Sequence, residues 1–234
     1  MLLRNFGQLI ADPLGFAPFL IMIIGGLVLA ITIHEFSHAF LAYRMGDYTA
    51  KNLGRLSLNP LVHLDIMGSL MLLLVGIGWG KPVPVDERAF TKNPTRQMAL
   101  VAFAGPFSNL FIAMVLSLPF NFGLIDLPFR YTGMFVSTIY QRVIGEVLIT
   151  LIAINLLLAV FNLLPIAPLD GSKVAKGVLS SNMAYRLTQL DPWGPGILLT
   201  LIAADWFLGF GILSLLIIPP VNILGLIIVG HPVL

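Results

Sequence analysis

The stretch ITIHEFSHAF, residues 31–40, carries two histidines and a glutamate inside a long apolar run. His34 and His38 are four residues apart, so on an α-helix both imidazoles lie on one face, one turn apart. Two histidines at this spacing can hold one Zn²⁺ ion at about 2.0–2.1 Å. Glu35 would lie beside that ion and could accept a proton from a metal-bound water. These residue types therefore indicate a site for metal-assisted hydrolysis.

The composition places this site in a membrane protein. The chain has 234 residues, of which 58% are hydrophobic and 10% are charged, whereas a soluble domain has about 25% charged residues. Ionisable groups are costly at membrane depth and usually indicate function there. The absence of cysteine excludes disulfides, thiol catalysis and cysteine-ligated metals. A net charge of +2 gives no reason to expect a nucleic-acid partner.

The apolar segments predict an all-α polytopic membrane protein that forms a single domain over residues 1–234. A spanning helix needs about 20 apolar residues, a length reached by residues 16–45, 97–118 and 137–164, while the tail, 194–230, predicts two further segments. Residues 64–79 are apolar over about fifteen positions, which is short for a span and favours a re-entrant segment. We therefore expect five to six membrane segments.

The polar stretch 80–96 begins with GKPVPVD, in which valine alternates with proline. Pro82 and Pro84 cannot donate to a β-ladder, which is typical of an edge strand. We predict a small β-hairpin or edge strand near the membrane surface. An open edge of this kind could pair with an unwound substrate segment.

Lysine and arginine placement predicts the orientation. If residues 64–79 re-enter the membrane without crossing it, ten basic residues share one side and Arg4, Arg130 and Arg142 lie on the other. A full crossing would divide the ten between the two sides. The first arrangement obeys the positive-inside rule better, so the basic face is predicted to be cytoplasmic. His34 and His38, in the last third of their span, would lie nearer that face.

A catalytic zinc ion takes three protein ligands and leaves one position open. Asp170 stands out among the possible third ligands because Pro165 and Pro168 interrupt the apolar segment just before it. The residues alone also allow Asp170 to be a plain helix cap. The candidates near the membrane are His63, Asp65, Glu146, Asp170, Asp205 and His231.

HEFSH on a membrane helix, followed by NLLPIAPLDG at 162–171, resembles the site-2 protease family of intramembrane zinc metalloproteases, whose downstream pattern is NxxPxxPLDG. The segment AGPFSN, 104–109, is similar to the family's GxxxN helix motif. The resemblance covers about residues 18–176, the expected motif-bearing core. It is closest to the small bacterial and archaeal type without a PDZ or CBS domain.

The resemblance implies that His34, His38 and Asp170 bind one zinc ion and that Glu35 is the catalytic base. Asn162 is a further catalytic candidate, because its amide could donate to a developing oxyanion; it could equally bond to the backbone at the helix break. For Gly105 and Asn109 we favour a packing role, with close helix approach and an interhelical hydrogen bond.

The sequence thus predicts an intramembrane zinc endopeptidase in a prokaryotic cell membrane, with the lipid bilayer around it and membrane proteins as substrates. The alternative is a membrane metal-ion transporter or metal-binding protein that uses the same histidine and aspartate cluster. A transporter has no need of a general base, so Glu35 is the residue that separates the two hypotheses. His63 could also lie near the active site.

Overall fold

The computed structural model describes residues 13–75, 79–127, 139–209 and 211–234. Within these residues the chain is helical and forms no β-strand. Four of these helices, Pro13–Arg44, Pro94–Asn121, Ile139–Asn162 and Ile212–Val229, are long and apolar enough to cross a membrane. The helices in chain order are α1 (Pro13–Arg44), α2 (Thr49–Asn52), α3 (Ile66–Val75), α4 (Pro94–Asn121), α5 (Ile139–Asn162), α6 (Asp170–Val178), α7 (Ser181–Leu190), α8 (Gly194–Ala203) and α9 (Ile212–Val229).

Helix α1 satisfies the hydroxyl groups of Thr32 and Ser37 internally. Thr32 donates its hydroxyl to the carbonyl oxygen of Val28 at 2.6 Å, and Ser37 donates to that of Ile33 at 2.7 Å. Such bonds to the preceding turn remove the cost of an unpaired hydroxyl in an apolar environment. The helix ends before Gly46, whose φ of 103° suits glycine better than any other residue.

Helices α1 and α4 pack antiparallel to each other. Asn109, midway along α4, donates from Nδ2 to the carbonyl oxygen of Ala30, whereas Met98, near the start of α4, is buried with Ala42, near the end of α1. Antiparallel packing brings the end of α1 and the start of α4 to the same level. The connection between them, residues 45–93, therefore leaves and returns on one side of the helix pair.

Helix α5 packs against both α1 and α4 and forms the centre of the structure with them. Ile152 and Leu156 of α5 are fully buried together with Ala113 of α4 and Val221 of α9. Helix α6 lies against the start of α4, where Gly177 comes so close to Ala99 that any side chain at 177 would collide with it. Residues near 170 are thereby brought back to the level at which α1 ends and α4 begins.

Three of the predicted membrane segments correspond to α1, α4 and α5. The tail was predicted to contain two, but α9 is its one helix of spanning length among the described residues. The reason is that the helical turns from 194 end at 208, before Gly209 and Gly211, whose φ values of 66° and 67° interrupt the helix. The described residues thus contain four candidate spans, and the expected five to six are not confirmed.

Helix α3 has ten residues, which corresponds to about 15 Å, or half the thickness of a bilayer core. It begins after Asp65, whose Oδ1 accepts the backbone N–H of Gly68 at 2.8 Å and thereby caps the helix. Ile66 and Met67 are exposed. Helix α3 lies within the predicted re-entrant segment 64–79, of which residues 76–78 lie outside the described part of the chain.

The predicted strand near residue 80 is not confirmed. Residues 81–86 have no regular secondary structure, and the one β-type contact near them is an isolated antiparallel bridge between Leu64 and Gly80. The reason lies in the backbone donors, because Val83 N–H bonds to the Glu35 carboxylate and Asp86 N–H bonds to the Asp47 carboxylate. Amides committed to side chains cannot take part in a β-ladder.

Candidate metal centre

Two histidines of α1 point into the helix bundle. His34 and His38 are both buried, and their ring centroids lie 4.7 Å apart in an edge-to-face arrangement. This is the outcome expected for a pair one helical turn apart on one face. The pair lies in the last third of α1, at the level where α4 begins.

Asp170 lies beside the two histidines in space, although it is near the other end of the motif-bearing core in the sequence. Helix α5 ends at Asn162, the prolines at 165 and 168 prevent its continuation, and α6 begins at Asp170. The Oδ2 atom of Asp170 lies 3.1 Å from Nε2 of His34 and 3.1 Å from Nε2 of His38. These three side chains form the one group within the described residues that could hold a metal ion.

The second ring nitrogen of each histidine, Nδ1, makes a hydrogen bond that fixes the orientation of the ring. Nδ1 of His34 lies 2.6 Å from Oδ1 of Asn109, and Nδ1 of His38 lies 2.7 Å from the carbonyl oxygen of Val101. Both partners are acceptors, so each neutral imidazole carries its hydrogen on Nδ1 and directs the lone pair of Nε2 toward Asp170. Histidines that bind metals are typically oriented in this way.

This donor set fits a zinc ion. Two imidazole nitrogens and a carboxylate oxygen converge on one point, and when the imidazoles are neutral with their hydrogens on Nδ1, these three acceptors are held together by a cation between them. Gly105 keeps the space open, since a Cβ at this position would lie 2.6 Å from Nε2 of His34 and would also collide with His38. The residues present therefore match a three-ligand site with an open position.

Two asparagine amides form a buried network at Nδ1 of His34, the ring nitrogen that faces away from Asp170. Asn109 is fully buried, and its Nδ2 donates to Oδ1 of Asn155 at 2.9 Å as well as to Ala30. Asn155 in turn donates to the carbonyl oxygen of Leu151 at 2.9 Å. The interhelical hydrogen bond predicted for Asn109 is thus present, and it also orients a candidate ligand. Asn155 was missed, although an asparagine inside an apolar helix is itself a signal.

Glu35 lies on the wall of a cavity of about 340 Å³ that also exposes the histidines and Asp170. One of its carboxylate oxygens, Oε2, accepts the backbone N–H of Val83 at 3.0 Å. Much of the remaining wall is apolar and includes Val83, Leu158 and Phe161. The cavity therefore places the Glu35 carboxylate beside an apolar surface.

Asn162 and Lys173 are two further polar residues of the cavity wall. The Nδ2 atom of Asn162 donates to the carbonyl oxygen of Leu158 at 3.0 Å, which engages one of its two N–H groups. Lys173 lies one turn after Asp170 on α6. Outside the cavity, the side-chain hydrogen bond from Arg88 lowers the pKa of the partly exposed Asp86 carboxyl group, which therefore remains ionised down to lower pH than usual.

His63 and Asp65 are not among the cluster residues. His63 is fully buried, and its Nε2 lies 2.7 Å from the carbonyl oxygen of Ser57, so it holds the loop before α3. Asp65 caps α3. Neither residue is on the cavity wall.

The other three candidates for a third ligand also lie away from the histidine pair. Asp205 accepts the backbone N–H of Ser214 at 3.0 Å near the start of α9, and Nδ1 of His231 lies 2.7 Å from the carbonyl oxygen of Pro232. Glu146 is exposed on α5. Among the six candidates, the structure brings Asp170 alone to the histidine pair.

Comparison with known proteins agrees with this geometry. The profile of Peptidase family M50 matches residues 22–189. Three similar proteins carry the name "Putative zinc metalloprotease". YwhC of Bacillus subtilis is 38% identical over 78% of this chain and 78% of its own length. Rip2 of Mycolicibacterium smegmatis is 30% identical over 83% of this chain and 73% of its own length. Rip2 of Mycobacterium tuberculosis is 31% identical over 85% of this chain and 74% of its own length.

No solved structure matches the chain at a comparable level of significance. The resemblance to the site-2 protease family is confirmed by the family profile and by these relatives. The four apolar helices agree with it, because they make the chain an integral membrane protein. The chain belongs to peptidase family M50 and is a zinc metalloprotease.

Proposed function

We propose that this protein is an intramembrane endopeptidase, which hydrolyses peptide bonds in or near the membrane-spanning segments of other proteins. The observation that carries the proposal is the position of the His34, His38 and Asp170 cluster. Two of its ligands lie on a helix that is long and apolar enough to cross the membrane. Its cavity has an apolar wall beside a carboxylate base.

His34, His38 and Asp170 are the residues that would hold one zinc ion. When bound, zinc lowers the pKa of water to near neutrality and polarises a carbonyl group. Asn109 and the Val101 carbonyl hold the two imidazole rings in the tautomer that ligation requires.

Glu35 handles the proton in this proposal. Its carboxylate accepts the proton of the attacking water and later passes it to the amine that leaves when the peptide bond breaks. The second N–H of the Asn162 amide is assigned to the carbonyl oxygen of the substrate, where a donor would stabilise developing negative charge. The first N–H remains on Leu158 and orients the amide.

The substrates are transmembrane segments that have been locally unwound. Apolar residues such as Leu158 and Phe161 on the cavity wall suit hydrophobic side chains on either side of the cut. The bilayer surrounds the remaining apolar helix surface, which includes exposed residues such as Phe111 and Leu215. We further infer that the whole chain is one domain, since α6 and α9 pack on the central helices.

The cut position tests this proposal. The purified protein is incubated in lipid nanodiscs with a single-span substrate, and the product termini are identified by mass spectrometry. We expect cleavage inside the span or within a few residues of it, because the candidate ligands lie within the bundle. Cleavage confined to distant water-exposed loops would contradict an intramembrane site.

We also propose that residues 64–79 enter the membrane without crossing it, with the active site nearer the cytoplasmic face of a prokaryotic cell membrane. Antiparallel packing of α1 and α4 supports this, because the connection must begin and end on one side. So does the count of basic residues, ten of which then share that side, namely Arg44, Lys51, Arg55, Lys81, Arg88, Lys92, Arg96, Lys173, Lys176 and Arg186.

Cysteine labelling tests this topology, and the absence of native cysteine makes single-cysteine variants straightforward. A cysteine at Trp79 should react with a membrane-impermeant maleimide from the same side as one at Lys92. A cysteine at Asp126, beyond α4, should react from the opposite side. Labelling of positions 79 and 92 from opposite sides would show that residues 64–79 cross the membrane.

A further inference from the structure

Residues 81–86, the cavity segment, run past the active site without regular secondary structure. Pro82 and Pro84 have no N–H group, so few backbone donors are available to hold the segment in place. Three of the donors that exist are used at separate points. Lys81 N–H donates to the carbonyl oxygen of His63 at 2.8 Å, Val83 N–H to Glu35, and Asp86 N–H to Asp47.

A buried arginine holds the first end of the cavity segment. Arg55 is 6% exposed, and one of its terminal nitrogens donates to the carbonyl oxygens of Lys81 at 2.6 Å and Pro82 at 3.0 Å. Gly80, just before, lets the chain approach α1, since a Cβ there would lie 3.1 Å from Ile31. The guanidinium group thus fixes the backbone directly before Val83.

A buried aspartate holds the other end. Asp47 is 1% exposed, and its two carboxylate oxygens accept the N–H groups of Thr49 and Asp86, each at 2.9 Å. Arg55 and Asp47 are therefore both ionisable side chains in buried positions. Neither takes part in an ion pair within the described part of the chain.

Burying an ion without a counter-ion is costly, and backbone hydrogen bonds offset only part of that cost. If support of a loop were the whole role of these residues, neutral side chains would provide it at lower cost. Both ions act on the two ends of one six-residue segment. The middle of that segment makes the one hydrogen bond that the described residues give to the Glu35 carboxylate.

We propose that Arg55 and Asp47 are positioning residues, which clamp the cavity segment so that the Val83 N–H holds the Glu35 carboxylate in its working orientation beside the metal ligands. This inference rests on the proposed role of Glu35. One carboxylate oxygen is anchored by Val83, and the other is left to exchange a proton with water. A carboxylate held in one orientation reacts more often from the right geometry than one that rotates freely.

The kinetic test uses full-length protein in nanodiscs and compares Arg55→Met and Asp47→Ala with the wild type. Each variant should lower kcat by about tenfold or more, while KM and the zinc content per chain stay unchanged. Arg55→Lys, which keeps the charge and the donors, should recover part of kcat. The matched control Arg96→Met removes an exposed arginine and should leave kcat unchanged.

A double-mutant cycle separates positioning from loop stability. Val83→Pro removes the N–H donor itself, so Arg55→Met should cost little further kcat in the Val83→Pro background. If the double variant instead lost kcat by the product of the two single-variant factors, the proposal would be overturned. A wild-type kcat in the folded, zinc-loaded Arg55→Met protein would also overturn it.

Hydrogen–deuterium exchange tests the clamp independently of cleavage. Arg55→Met should speed exchange in peptides covering residues 79–90 and leave the middle of α1 unchanged. Glu35→Ala removes only the acceptor of the Val83 N–H. It should therefore speed exchange at the Val83 amide and leave exchange at the Asp86 amide unchanged. If the wild type cleaves no membrane substrate, the proposed function fails and exchange still decides the clamp. Unchanged exchange in both variants would overturn it.

Discussion

Glu35→Gln is expected to abolish cleavage of a membrane-spanning substrate while each chain keeps its zinc ion. Glutamine has nearly the same shape as glutamate and can still accept the Val83 N–H through its carbonyl oxygen, but it cannot take a proton from water. General-base catalysis typically contributes a factor of about 10² to 10⁴, so kcat should fall at least that far. The measurement is the rate of product formation, together with zinc content by elemental analysis.

Glu146→Gln is the matched control, because Glu146 lies exposed on another spanning helix and should retain the wild-type rate. The Glu35 experiment also separates the two functional hypotheses. A metal-ion transporter that used the same ligands would have no need of a general base. Unimpaired activity of the Glu35→Gln protein would therefore contradict the protease mechanism and favour the transporter.

Asp170→Ala is expected to remove the zinc ion and with it all cleavage. Among the described residues, Asp170 is the one carboxylate with an oxygen 3.1 Å from a ring nitrogen of each histidine, and two imidazoles alone make an incomplete catalytic site. Loss of a ligand should weaken binding by more than the factor of about 10–100 typical of residues that only support a ligand. The measurement is zinc content after dialysis against a weak chelator, with cleavage assayed on the same sample.

Asp126→Ala, at an exposed position beyond α4, is the corresponding control and should keep both zinc and activity. A role of Asp170 as a plain helix cap predicts a different pattern. The melting temperature would then fall, but each folded chain would still bind one zinc ion. Full zinc occupancy in Asp170→Ala would therefore contradict the assignment of this ligand.

The sequence was sufficient for those parts of the site that depend on local spacing. His34 and His38 lie one helical turn apart in any α-helix, and the prolines before Asp170 predict a break at which a carboxylate can turn inward. The apolar lengths likewise predicted α1, α4 and α5, because a bilayer imposes a minimum length on each spanning helix.

Features that depend on tertiary packing could not be predicted in the same way. The hydrogen bond from Val83 to Glu35 uses a backbone N–H, which every residue except proline possesses, so no residue type marks it. The network of Asn109 and Asn155 joins α4 to α5, and it depends on how the helices are rotated about their axes. Hydrophobic patterning gives little information on that rotation when a helix is apolar on all sides.

The expected strand near Val83 shows a further limit. Alternating valine and proline is compatible with an extended backbone, and residues 81–86 do lack helical structure. Whether an extended segment becomes a strand depends on the partner for its amides. Here Glu35 and Asp47 provide acceptors from elsewhere in the chain, so the amides bond to side chains.

The most direct test of the proposed zinc site and its base measures zinc and cleavage together in three proteins, the wild type, Glu35→Gln and Asp170→Ala. All three are purified in parallel and incubated with the same single-span substrate. We expect one zinc ion per chain and a cut in or near the span for the wild type, zinc without a cut for Glu35→Gln, and neither for Asp170→Ala. Cleavage by Glu35→Gln, or zinc retained by Asp170→Ala, would contradict this expectation.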